Sequence, residues 1–366
     1  MKSFGWPRDE AAWVALGVGL LALGVVSLWG PRLAAYAERR PRSTLALLSA
    51  LAGLLSFGYV VHYLRGGPRI IDATSYFLEA RALARGAAAF PLLEPVTAFR
   101  GRFLLNAPGA SEVTVLFPPG YPALLALALR LGAPMALGPL LAVALTASTH
   151  ALARELFQRK DVALVAAGLS LGCAALRYHT ADTMSHGLAA VLCTAGLAAV
   201  LRGGGMTWVG GLLLGWLVAT RPVTGAVALA FALWLVRRRG KSELLALLLA
   251  LAPGLGLLAW HQLAATGTLF GSSQLRYYAL ADGPPGCFRY GFGSGIGCWF
   301  EHGDFVRAHL ADGYGFRAAL GTTGRRLWMH FGDLANAWPL FSALVLAAWT
   351  ARREPSARLA LFVPSR

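Results

Sequence analysis

The sequence predicts an all-α fold: a polytopic transmembrane helix bundle of about 9–10 spans at roughly 20 apolar residues each, with two large outward loops containing short interfacial helices. Three observations predict it. Hydrophobic residues make up 57% of the 366 residues, charged residues make up 14%, and mean hydropathy is +0.57. A soluble surface uses about a quarter charged residues to stay dispersed, so a soluble domain is excluded. The chain also divides into apolar stretches near bilayer length, and these are punctuated by short Arg-rich runs.

The net charge of +16 does not point to nucleic acid. The basic residues cluster at the ends of apolar stretches: Arg32 to Arg42, Arg154 to Lys160, Arg237 to Lys241, then Arg352 and Arg353. Such runs orient helices and meet anionic headgroups. No continuous basic face interleaved with aromatics is present, so membrane lipids are the expected partner and nucleic acid is not. Spans are expected at 11–30, 44–63, 134–156, 162–177, 185–201, 207–220, 222–236, 243–262 and 336–351. The first resembles a signal peptide ending at Ala35-Tyr36-Ala37, but Arg39, Arg40 and Arg42 follow directly and argue for an uncleaved helix.

Placing every basic run in the cytoplasm gives one consistent winding. Residues 1–63 form the N-terminal transmembrane helices, 64–133 a first outward loop, and 134–262 the main bundle. Residues 263–335 then form a second large outward loop, and 336–366 the last helix and a cytoplasmic tail. The winding requires that 118–131 not cross, which suits a short interfacial helix on the outer leaflet. Loops this long carry function. Of four cysteines, Cys173 and Cys193 read as small buried hydrophobes, whereas Cys287 and Cys298 share one polar loop where a bridge would suit an oxidising compartment.

Asp72 opens a stretch in which Tyr76, Ala80, Leu83 and Gly86 follow at helical spacing, so a short helix is expected there. On the residues alone the carboxylate reads as a cap on free backbone amides. Asp182 reads likewise as a cap on the helix beginning near Met184. Arg221, between Thr220 and Pro222, either snorkels to the interface or binds an anion. In the last loop Arg276 is a further anion ligand, and Tyr277 and Tyr278 are rings for stacking. Glu301, His302 and Asp304 suggest a metal, although a solvated loop explains them more simply. No charged residue falls well inside an apolar stretch and no internal repeat is evident, which counts against a transporter or flippase. A non-catalytic scaffold is a third alternative.

A set of motifs in order resembles the C-type integral-membrane glycosyltransferases, which use polyprenyl-phosphate sugars and include protein O-mannosyltransferases and lipid A aminoarabinose transferases. The matching pieces are Asp72 with Tyr76, Ala80, Leu83 and Gly86; Pro118-Pro119-Gly120-Tyr121-Pro122; Arg154-Glu155-Leu156-Phe157-Gln158-Arg159; Thr220-Arg221-Pro222; and Phe270-Gly271-Ser272. Two features depart from the pattern. Ala73 stands where a second acidic residue is usual, and the chain ends near position 366, earlier than that superfamily usually does, as a fragment or trimmed member would. The resemblance implies an inverting hexosyl- or pentosyltransferase in a bacterial-type inner membrane, its site facing the periplasm or exterior. It further implies Asp72 as general base with Asp182 assisting, and Tyr76, Arg221, Arg276, Tyr277 and Tyr278 as substrate-binding residues. The donor would be a polyprenyl-phosphate sugar and the acceptor an unspecified hydroxyl. No cofactor or metal is needed, with weak divalent dependence allowed.

Overall fold

A computed structural model describes residues 32, 35–92, 103–105, 111–281 and 315–334. The expected spans 11–30 and 336–351, the cysteines Cys287 and Cys298, and the Glu301, His302 and Asp304 group lie outside these residues.

The described chain is mostly helical. Helix α1 runs Pro41–His62, α2 Ile71–Ala84, α3 Gly120–Arg130, α4 Leu137–Phe157, α5 Lys160–Gly172, α6 Ala174–Ala181 and α7 Ser185–Arg202. Helices α8 Met206–Thr220, α9 Pro222–Val236, α10 Lys241–Ala250, α11 Ala252–Thr266, α12 Ser273–Ala281 and α13 Phe316–Leu334 follow. Burial in α1 is inverted relative to a soluble helix. Ser49, Ala52, Gly53, Ser56 and Val60 face inward at helical spacing, while Leu47, Leu54 and Phe57 are exposed. Small and hydroxyl residues let backbones approach where lipid, not water, is the outer solvent.

Four segments are long and apolar enough to cross a membrane: Pro41–His62, Pro134–Phe157, Ser185–Arg202 and Lys241–Thr266. The expected span at 162–177 is instead two helices bent by 70°, and counting that pair as one gives five. The break falls at Cys173, whose backbone is extended (ψ 113°). The buried Arg177 side chain donates from Nη2 to the Ser170 carbonyl at 2.9 Å, satisfying an acceptor that the broken helix leaves open. Helices α8 and α9 hold 15 residues each. At 1.5 Å per residue that is roughly 22 Å, short of a core of about 30 Å. The expected stretches 207–220 and 222–236 agree with these helices to within one residue, so their shortness for a span is already visible in the sequence.

Close crossings hold the bundle together. Gly211 and Gly215 on α8 meet Leu247 and Leu251 with their neighbours on α10–α11, and a Cβ added at Gly254 would lie 2.1 Å from the Gly215 carbonyl carbon. The two backbones are in contact there, as small-xxx-small pairs permit.

The basic turns share one end. Arg202 reaches Glu155 at 3.5 Å. Glu243 accepts from Thr207 Oγ1 at 2.8 Å and from the Gly204 amide at 3.2 Å, and Arg239 donates to the Val200 and Leu201 carbonyls. The turns α6–α7 and α8–α9 and the C-terminus of α11 therefore lie at the opposite end.

The first large loop departs from the all-α expectation. It holds a small antiparallel sheet, β1 Phe90–Pro91, β2 Leu104–Leu105 and β3 Glu112–Val115, in the order β1-β3-β2. The β-branched run Val113-Thr114-Val115 suits a buried central strand, and Val113 and Val115 are fully enclosed. The segment 118–131 does form a short helix, α3, of 11 residues.

Candidate functional site

Three motif pieces named above converge at the end opposite the basic turns. Helix α3 starts directly on the α8–α9 junction. Trp216 Nε1 donates to the Gly120 carbonyl at 2.9 Å, and a Cβ at Gly120 would meet Thr220 Oγ1 at 2.3 Å. The Pro-Pro-Gly-Tyr-Pro stretch is thus seated against Thr220-Arg221-Pro222. Arg221 bridges α8 and α9 in an extended conformation (φ −146°, ψ 90°), because Pro222 disfavours helix in the residue before it. Its charge acts on both Tyr76 and His186.

The start of α2 is lashed to the α6–α7 turn. Thr183 Oγ1 donates to the Ala73 carbonyl at 3.1 Å, and Tyr76 donates from its hydroxyl to Ser185 Oγ at 3.0 Å. Asp72 is not a cap. The N-cap of α2 is Ile70, without a side-chain capping bond, and Asp72 lies in the first turn, half-buried. Nor does Asp182 cap α7, whose N-cap is Met184. Asp182 is 1% exposed, and its Oδ1 accepts from the Thr183 amide at 2.8 Å. Burial raises its pKa, the Thr183 amide and the Tyr178 hydroxyl oppose that, and the nearby Asp72 charge adds to it. Tyr76 is pushed up to about 12, first by burial; the Ser185 hydrogen bond opposes this.

The two large loops meet through aromatic rings. Tyr76 stacks on Phe117 at 4.3 Å, Phe117 lies 5.2 Å from Phe103, Phe103 lies 6.2 Å from Tyr277, and Tyr277 lies 5.6 Å from Tyr278. Tyr121 closes edge-on to Tyr76 at 5.7 Å. Phe103 holds a left-handed backbone (φ 69°) that side-chain-bearing residues rarely adopt, and its ring joins the two loops. Polar contacts reinforce the series. Ser273 Oγ donates to the Leu116 carbonyl and the Ser273 amide to Gln262 Oε1, each at 2.7 Å. Arg276 spends one donor on the Ala265 carbonyl at 3.0 Å, and the Tyr278 hydroxyl accepts from Gln274 at 3.3 Å.

The sequence reading missed two pairs. His261 Nε2 on α11 lies 3.1 Å from Glu79 Oε1 on α2, each side chain 1% exposed. The two approach without hydrogen-bond alignment, and among the described residues neither finds another polar partner. Burial raises the Glu79 pKa, with His261 opposing. His261 falls near the end of the expected 243–262 stretch, so it does not put a charged residue well inside one, but its approach to Glu79 was not anticipated. The 3.6-residue spacing of Asp72, Tyr76 and Glu79 along one face of α2 was the signal available for Glu79. His179 and His186, stacked with centroids 4.7 Å apart, were likewise unread as a pair.

The half-buried Asp72 and Arg221 with the enclosed Asp182 place an acid–base group and a cation at one end of the bundle, bordered by rings. No family model, curated protein or solved structure matches the chain.

Proposed function

We propose that the chain is an inverting membrane glycosyltransferase that moves a sugar from a polyprenyl-phosphate carrier to a hydroxyl acceptor. The observation that carries this reading is the convergence of Asp72, Asp182, Tyr76 and Arg221 at the end opposite the basic turns, with Asp72 released from any capping role. In the proposed step the acceptor oxygen attacks the anomeric carbon as its proton passes to Asp72, and the carbon–oxygen bond to the carrier breaks. Polyprenyl phosphate leaves with its new charge facing Arg221. Asp182, enclosed beside Asp72, orients it, and Tyr277 and Tyr278 border the sugar. On the same reading the basic turns are cytoplasmic in a bacterial-type inner membrane, and the chain makes about nine or ten passes.

The test is transfer of radiolabelled sugar from a panel of polyprenyl-phosphate sugars by membranes bearing wild type or Asp72→Asn. Asn keeps the size but cannot take the proton, so transfer is expected to fall at least a hundredfold, within the usual range for a general base. Equal activity in both would remove the assignment of Asp72. The buried Glu79–His261 pair favours a second reading, proton-coupled transport. It gains if no donor is consumed and if proteoliposomes take up protons with a lipid-linked sugar.

A further inference from the structure

Helices α2 and α3 end side by side on an open cavity of about 230 Å³ lined by Arg81, Ala84, Arg85, Leu129 and Arg130. Arg130 Nε donates to the Ala84 carbonyl at 2.8 Å, which fixes the plane of that guanidinium and ties the two helix ends together. Among the described residues, no acidic side chain lines the cavity. The nearest carboxylate along α2, Glu79, is enclosed with His261. Among the described residues, none of the three guanidiniums has an ion-pair partner. The C-terminal dipoles of α2 and α3 offset part of this charge, about half an elementary charge per helix end. Three cations around one cavity still call for an anion.

The depth of the cavity identifies its source. Leu127 and Leu131, on either side of Arg130, are 54% and 75% exposed. Three residues beyond Leu131, Pro134 begins a segment long and apolar enough to cross a membrane. The arginines thus stand where that segment leaves the hydrocarbon, level with headgroup phosphates, and the two leucines project where acyl chains begin. Arginine forks pair with phosphate oxygens in a bidentate way. A free phosphate would leave the leucines without a partner. We infer that Arg81, Arg85 and Arg130 form a binding site for the phosphate of an anionic membrane lipid, separate from Arg221 and independent of the transferase reading.

The test uses the purified full chain, delipidated and then offered phosphatidylglycerol, phosphatidylcholine or inorganic phosphate, with retained ligand read by native mass spectrometry. Wild type is expected to retain phosphatidylglycerol over phosphatidylcholine, and millimolar inorganic phosphate is expected not to displace it. Arg81→Gln/Arg85→Gln, which breaks no hydrogen bond within the described fold, should weaken phosphatidylglycerol retention about thirtyfold, at the usual worth of two basic groups near an anionic leaflet. Arg81→Lys/Arg85→Lys should fall between wild type and the Gln variant, because lysine keeps the charge but not the bidentate fork. Unchanged retention in the Gln variant, or equal loss in the Lys and Gln variants, overturns the site. Displacement by inorganic phosphate overturns the lipid assignment.

Discussion

Gly120→Ala probes the contact on which the whole candidate site is seated. The added Cβ would lie 2.3 Å from Thr220 Oγ1, 2.7 Å from the Thr220 nitrogen and 2.8 Å from the Ala219 carbonyl carbon. Two of these neighbours are backbone and cannot rotate away. Opening 2.7 Å to the 3.4 Å at which ordinary contact begins takes about 0.7 Å of separation between α3 and the α8–α9 junction. Overpacking of this kind costs about 1–3 kcal/mol. Because Arg221 follows Thr220 directly, the junction cannot retreat without carrying Arg221 with it. A 1 Å misplacement costs up to about a hundredfold in rate, so roughly tenfold is expected here. The assay pairs a thermal-unfolding midpoint in detergent with single-turnover sugar transfer. Thr220→Ala in the same background should restore little, since only the hydroxyl clash is removed. A Gly120→Ala protein with wild-type midpoint and wild-type rate would refute the close seating of α3 on the junction.

Two further outcomes are expected. Burial raises the Glu79 pKa above its ordinary 4.5, so the native state keeps a proton that the unfolded chain releases first, and the stability this lends is full below about pH 4.5 and lost as pH rises through the native value. Glu79→Gln should abolish that decline, seen as a flatter midpoint against pH; parallel decline in both proteins would refute it. Tyr76→Phe keeps the stack on Phe117 but removes the bond to Ser185, so it should lower stability by about 1 kcal/mol in denaturant titration; an unchanged midpoint would show that the hydroxyl bond contributes nothing.

Periodicity and punctuation made most helices legible. Pro41 and Pro222 open α1 and α9, Gly203 and Gly267 end α7 and α11, and the basic turns after α4 and α9 share an end. The bend at Cys173 was poorly legible, because Gly172 just before it is one small residue inside an apolar run, a weak signal, and the stabilising donor is Arg177, four residues on from Cys173. The bounds of α8 and α9 were legible to within one residue, because Arg221-Pro222 punctuates one apolar run into two short helices. The site was legible as residue types, Asp72, Asp182 and Arg221, but not as contacts. Glu79 reads as one more polar position on an outward helix until α11 brings His261 against it.

The reason is topological. Tyr76 bonds a residue 109 positions away, Thr183 one 110 away, and Ser273 one 157 away. None of these pairings can form from local propensity, and each depends on helices whose ends are set by packing deeper in the bundle. The Gly215–Gly254 crossing fixes α11 against α8, and those helices carry His261 and the residue before Arg221. A side chain inserted at that crossing would therefore reach the candidate site without touching it, by moving α11 and the α8–α9 junction apart. Separation there draws His261 from Glu79 and Gln262 from Ser273 together, so α2 and α12 lose their common support at the same moment.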